Sequence, residues 1–208
     1  ETPDTFSWRK DLSGDWTGGS NWTPFRGPPS TNEHTAVFGD IITAKRTIFT
    51  DADVTVKNIQ FENANSYIIA GGSTVQLDGG TGTASISVAG SSGTHEFQTR
   101  VAMLTDTQVN VATGTTLEFN NRLNLGGNTL TKTGGGDLAV NSFLNTGGGV
   151  MELSAGGITG EGTIVGDVSL LAGTISPGSG SAVSAVPEPS SLLLAALSLL
   201  LLAVRRMG

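Results

Sequence analysis

The chain of 208 residues contains no cysteine. Disulfides, thiolate metal sites and a cysteine nucleophile are therefore excluded together. The absence carries no inference about compartment. Histidine is nearly missing as well. His34 and His95 are the only two, and no H-x-x-x-H or related ligand spacing joins them. Both are expected at a surface or a corner. Basic charge is scarce: 11 Lys and Arg stand against 18 Asp and Glu, a formal net charge of -7. Arg205 and Arg206 lie at the carboxyl end, so residues 1–191 hold 9 basic groups. A nucleic-acid partner is excluded on this balance, because phosphate binding requires a basic face.

Chemical motifs are missing too. No G-x-S-x-G elbow and no G-x-x-x-x-G-K phosphate loop occurs. Asp51 and Asp53 are too few for a calcium loop, lacking a glycine at the needed offset and a later glutamate. The run Gly134–Asp137 has part of a calcium-binding nonapeptide but does not recur. Glu62, Asp78, Glu96 and Glu118 could serve paired-carboxylate chemistry on sugars, yet they are scattered, and Arg100 and Arg122 are isolated. The expectation is no enzyme, no metal and no cofactor.

Glycine is what the chain has in excess, 30 residues, about double the usual share of roughly 7%. Thr, Val, Ile and Asn fill much of the rest. β-Branched residues broken by glycine favour short strands and tight turns. Such runs appear at Arg46–Phe49, Val54–Phe61, Tyr67–Ala70, Thr74–Leu77, Ala84–Val88, Thr107–Val111, Thr115–Phe119 and Leu123–Leu125. They continue at Thr129–Thr131, Leu138–Val140, Val150–Leu153, Thr163–Val165 and Val168–Leu171. Apolar and polar positions alternate in several, and Gly or Asn sits in nearly every gap. Helical periodicity is hard to find before residue 190.

The expected fold class is therefore all-β. A right-handed parallel β-helix, a solenoid, accounts best for the very short strands and glycine corners; a β-sandwich body is the alternative. At roughly 20–25 residues per coil the body, residues 41–176, makes about six coils. The segment Leu130–Leu138, LTKTGGGDL, resembles the unit of autotransporter-associated β-strand repeats. Gly160–Val168 and Ala172–Gly178 are similar to the terminal coils of such passengers. That resemblance implies a β-helix. Unlike those proteins, this chain ends in an apolar helical run rather than a barrel, so self-transport is not expected.

Residues 1–40 differ in composition. Trp8, Trp16 and Trp22 are all the tryptophans present, with Phe6, Phe25 and Phe38 beside them. Their expected role is a cap, since an open solenoid end exposes apolar coil and strand edges. The sharper alternative is carbohydrate stacking on the three tryptophan rings.

The carboxyl end carries the strongest signal. Leu192–Val204 reads LLLAALSLLLLAV, without charge, glycine or proline. Such an all-round apolar helix belongs in lipid. Ser190–Val204 spans 15 residues, about 22 Å of helix, and counting from Val186 gives about 28 Å, against a hydrocarbon core of about 30 Å. Arg205 and Arg206 form a basic stop, expected on the cytoplasmic side. Ahead of the run stand Val186, Pro187, Glu188, Pro189 and Ser190, with two prolines holding the backbone extended. Residues 177–185 read as a flexible Gly/Ser linker. This order of parts resembles the PEP-CTERM sorting signal of Gram-negative bacteria.

The resemblance implies an exosortase-type membrane processing enzyme as partner, acting at Pro187, Glu188 and Pro189 with Val186 and Ser190 as flanks. It also implies an exported protein, first anchored in the inner membrane through 190–204, then placed at the cell surface or in the extracellular matrix. The motif proper is 186–191 within a sorting segment of 186–208. The chain begins at Glu1 without a basic-apolar leader, so a signal peptide is expected to have stood in front. The functional expectation is a structural or adhesive surface protein associated with exopolysaccharide. A surface-displayed polysaccharide-active enzyme or a carbohydrate-binding module is the alternative.

Overall fold

A computed structural model describes residues 4–90, 93–176 and 178. Most strands are two to five residues long, as the short β-type runs require. The exceptions are Phe143–Leu153 and Thr163–Leu170, each of which turns a corner and serves two faces. No α-helix occurs among the described residues; a single 3-10 turn spans Gly19–Asn21.

The strands stack into three parallel faces of a solenoid with about six turns. The first face contains Thr5–Trp8, Thr35–Phe38, Asn58–Phe61, Ala84–Val88, Thr107–Val111 and Leu130–Thr133. It ends on the second halves of Phe143–Leu153 and Thr163–Leu170. The second face runs from Gly14–Asp15 through Arg46–Phe49, Tyr67–Ala70, Thr94–Phe97, Thr116–Phe119 and Asp137–Val140 to Gly157–Thr159 and Thr174–Ile175. The third holds Val54–Val56, Thr74–Leu77, Arg100–Met103 and Leu123–Asn124, then the first halves of the two long strands. Apart from the Trp22–Thr23 edge, each strand pairs in parallel with strands one coil away. That pairing overturns the β-sandwich alternative, whose strands would pair as hairpins.

Register sets the interior. Ala36, Ile59, Ile86, Val109, Lys132, Leu153 and Leu170 occupy one column of the first face. Successive members lie 23, 27, 23, 23, 21 and 17 residues apart in sequence. On the third face Val54, Val75, Val101, Leu123 and Leu144 form another column, all nearly inaccessible. Alternation along each strand produces these columns: Ala84, Ile86 and Val88 point in while Ser85 and Ser87 point out. Each fully buried aliphatic side chain contributes about 1.5–3 kcal/mol, so every coil needs its neighbours to close its inner surface.

Glycine is required where corners of adjacent coils touch. Gly134 has φ +75°, and a Cβ there would collide with the Val111 carbonyl one coil below. Gly156, with φ +77°, faces the carbonyls of Gly134 and Gly136 in the same way.

Several expected strand bounds shift. The run Val54–Phe61 is two strands, Val54–Val56 and Asn58–Phe61, because Lys57 marks the corner between the third and first faces. Thr129–Thr131 is in fact Leu130–Thr133. Thr5–Trp8 and Thr35–Phe38 place the tryptophan-rich segment at one end of the stack. There Trp22–Thr23 closes the first face as an antiparallel edge strand. No helix among the described residues is long and apolar enough to cross a membrane. The expected span 190–204 lies outside the described residues, as does the expected linker apart from Gly178. The Gly178 N–H still donates to the Gly160 carbonyl at 2.7 Å.

Candidate functional site

The tryptophans were the one candidate ligand platform in the amino-terminal segment, and the structure places them in the interior. Trp8 is 2% exposed, and Trp16 and Trp22 are wholly buried. Each indole N–H is spent on a backbone carbonyl: Trp8 on Lys10 at 2.8 Å, Trp16 on Pro29 at 2.9 Å and Trp22 on Trp16 at 2.7 Å. Trp8 and Trp22 meet edge to face with centroids 5.3 Å apart, and Trp16 and Trp22 both lean on Phe38. Sugar stacking needs a free ring face, and these rings offer none. The carbohydrate-stacking expectation is therefore corrected to a closing aromatic core.

That core continues inward as a column. Phe38 stacks on Phe61 at 5.2 Å, Phe61 on His95 at 4.5 Å, and Phe97 on Phe119 at 5.2 Å. His95 is not at a surface or corner, as composition suggested, but fully buried. Its Nδ1 accepts the Tyr67 N–H at 3.1 Å, which assigns the neutral ring with its proton on Nε2. Nε2 has no partner of normal hydrogen-bond geometry. Burial pulls the His95 pKa down to about 4, and the nearby Asn63 backbone offsets only part of that.

Lys132 is the second polar intruder. It fills an inner position between Val109 and Leu153 and is wholly buried. Its ammonium donates to the carbonyls of Thr133 at 2.8 Å, Gly134 and Gly136 at 2.9 Å, and Ala155 at 3.2 Å. Burial lowers its pKa to about 8, with Asp137 pulling the other way. Four carbonyls around one amine pin the glycine corner to the next coil. Sequence reasoning did not foresee the burial of either, since both side chains are polar and break the apolar alternation of inner positions.

Among the scattered acids, the fold brings Glu96 and Glu118 side by side in register on the second face. Asn120 reaches both, at 3.4 and 3.2 Å, Gln98 donates to Glu96 at 2.9 Å, and Lys45 pairs with Glu96 at 3.0 Å. Glu62 and Asp78 follow strands at corners of other coils. Asp78 accepts from the Gly80 N–H at 2.7 Å. Arg100 donates to the Gly72 carbonyl and Arg122 lies over the Phe143 ring, so neither joins the acid pair. Asp11 and Asp51 tie loops together. Asp11 accepts from the Thr43 N–H and hydroxyl at 3.0 and 2.6 Å and from Arg46, which together hold its carboxyl below the usual range. Asp51 is held down similarly by Thr17. No group of three or more His, Asp or Glu among the described residues could hold a metal ion.

Val186, Pro187, Glu188, Pro189, Ser190, Arg205 and Arg206 lie outside the described residues, so their assignment rests on sequence. Residues 185–206 match the family model of the PEP-CTERM protein-sorting motif. No curated protein and no solved structure matches the chain. The chain thus carries a PEP-CTERM motif behind a β-solenoid body. The motif marks it as an exported, membrane-processed protein targeted to an exosortase.

Proposed function

We propose that this chain is a non-catalytic structural or adhesive protein, delivered to the cell surface or extracellular matrix and associated there with exopolysaccharide. The observation that carries the reading is the sorting motif at 185–206 placed behind a stack whose interior is filled with side chains. The apolar run 190–204 spans the inner membrane in the precursor, with Arg205 and Arg206 on the cytoplasmic side. The extended Pro187-Glu188-Pro189 peptide is presented at the outer face for the processing enzyme. Deletion of residues 186–208 tests this. Export with normal processing and normal surface yield in that variant refutes the reading; loss of processing, with the protein mislocalised, supports it.

The adjacent carboxylates Glu96 and Glu118 favour one second reading, a surface-displayed glycosidase. Lys45 and Gln98 already occupy Glu96, and Asn120 reaches both carboxylates. Polysaccharide turnover by the wild-type chain that disappears in Glu96→Gln and Glu118→Gln would revive it.

A further inference from the structure

The outward side of the first face carries two columns of uncharged polar side chains over four coils, where the third face has one, Thr55, Gln76, Ala102, Asn124 and Asn145, interrupted by an alanine. In one register column stand Asn58, Ser85, Gln108 and Thr131. The next holds Gln60, Ser87, Asn110 and Thr133. None is charged and none is apolar, in a chain of net charge -7. The second face, by contrast, presents Arg46, Glu96, Glu118 and Asp137.

These side chains form a ladder across coils. The Ser85 hydroxyl donates to Asn58 Oδ1 at 2.8 Å, Asn58 donates to Thr35 at 3.0 Å, and Asn110 donates to the Thr133 hydroxyl at 3.1 Å. Each rung still keeps unused capacity, because an amide offers two donors and two acceptor lone pairs and a hydroxyl offers both kinds. Neighbouring rungs are about 4.8 Å apart, the spacing of parallel strands. At the edge of this face lies a depression of about 410 Å³, lined by Thr83, Asp106, Thr107, Gln108, Thr129 and Thr131. Asp106 uses Oδ1 to accept the Thr129 N–H at 2.8 Å, and Asp106 and Gln108 are both exposed.

From this chemistry we infer that the first face binds an extended, neutral, polyhydroxylated chain, a neutral polysaccharide, seated in the depression at Asp106 and Gln108. The inference deepens the exopolysaccharide part of the function proposed above and rests on it. A hydroxyl-rich polymer needs donors and acceptors mixed at short repeat, which this ladder supplies. A protein partner would want apolar anchors in the centre of the patch, and none is present. A nucleic acid would want basic groups. An acidic polysaccharide would meet Asp106 at the depression and Glu152 farther up the same column, and like charges facing one another act against such partners.

The test uses the full chain in detergent micelles, with a soluble neutral β-glucan and with alginate as the acidic counterpart, read by affinity electrophoresis. The wild type should be retarded by β-glucan and not by alginate. The double variant Asp106→Ala/Gln108→Ala should weaken β-glucan binding about tenfold, the loss of one or two hydrogen bonds. A double variant on the third face, Asn124→Ala/Asn145→Ala, should leave it within about twofold. Thermal melts of all variants separate binding loss from unfolding. Stronger retention by alginate, or loss carried by the third-face variant, overturns the inference and leaves the surface reading intact. Retention by neither polymer overturns the inference as well; the sorting reading is then judged separately by the tail deletion.

Discussion

Two parts of one stack are filled by different means. From Phe6 to Phe119 the interior holds an aromatic cluster, with three tryptophans, Tyr67, His95 and several phenylalanines in contact, beside aliphatic columns such as Val54, Val75 and Val101. From Asn120 to Ile175 the one aromatic residue is Phe143, which lies under Arg122 and is only partly buried. There Leu, Val, Met and Ile fill the coil and glycines line its corners. The last turn is the shortest: registered positions there are 17 residues apart, at Leu153 and Leu170 and at Ile158 and Ile175, while in the aromatic part Ile48 and Ile69 are 21 apart and Ile59 and Ile86 are 27 apart. Exposure diverges as well. Trp16 and Trp22 are sealed at one end, while Leu170 and Leu171 at the other are 53% and 65% exposed.

The sharpest way to break this contrast is at the aromatic end. Trp22→Ala removes a ring that touches Trp8, Trp16 and Phe38, and should cost about 3–5 kcal/mol, measured by urea denaturation at neutral pH. A cost under about 1 kcal/mol would show that the end rings are dispensable and that the two parts are equivalent.

The second test uses pH. His95 has a folded pKa of about 4 against an ordinary 6.5, so as pH falls below 6.5 the unfolded chain takes up the proton first. The stability contributed by the neutral ring is complete above about pH 6.5 and declines until about pH 4, a loss of about 3 kcal/mol. His95→Leu, matching Leu117 one coil on, should flatten that slope, although Tyr67 N–H loses its acceptor and the baseline falls. An unchanged slope in the variant would place the acid sensitivity elsewhere.

The smallest effect is expected at the open end. Leu171→Ala should change stability by less than about 0.5 kcal/mol, since the side chain is mostly in water already. A cost as large as that of the tryptophan would mean the last coil is covered in the working protein.

The same contrast explains what could be read from the sequence. The short strands and their stacking were legible because alternation is clean where inner residues are aliphatic, as in Ala84–Val88 and Thr107–Val111. Thr94–Phe97 escaped notice because its inner position is His95, which reads as polar and outward. Leu130–Thr133 was displaced for the same reason, with Lys132 turned in. The tryptophans were legible as a group but not by role. Composition cannot tell a ring that closes a core from one that offers its face, and only the three indole bonds to backbone carbonyls decide it. The polar ladder was hidden too, since its rungs lie a full coil apart in sequence and become neighbours only through register.

The short last turn has a mechanical side. On the function proposed above, a pull at the carboxyl end reaches first the shortest turn, where Thr174–Ile175 holds on by a short ladder to Gly157–Thr159. Load applied there opens hydrogen bonds one rung after another, like a zipper, instead of shearing a whole sheet at once. The ring-packed turns sit at the opposite end of the stack. Under shear flow the stack would lengthen by shedding its shortest turn first, absorbing work while the ring-packed end keeps its shape.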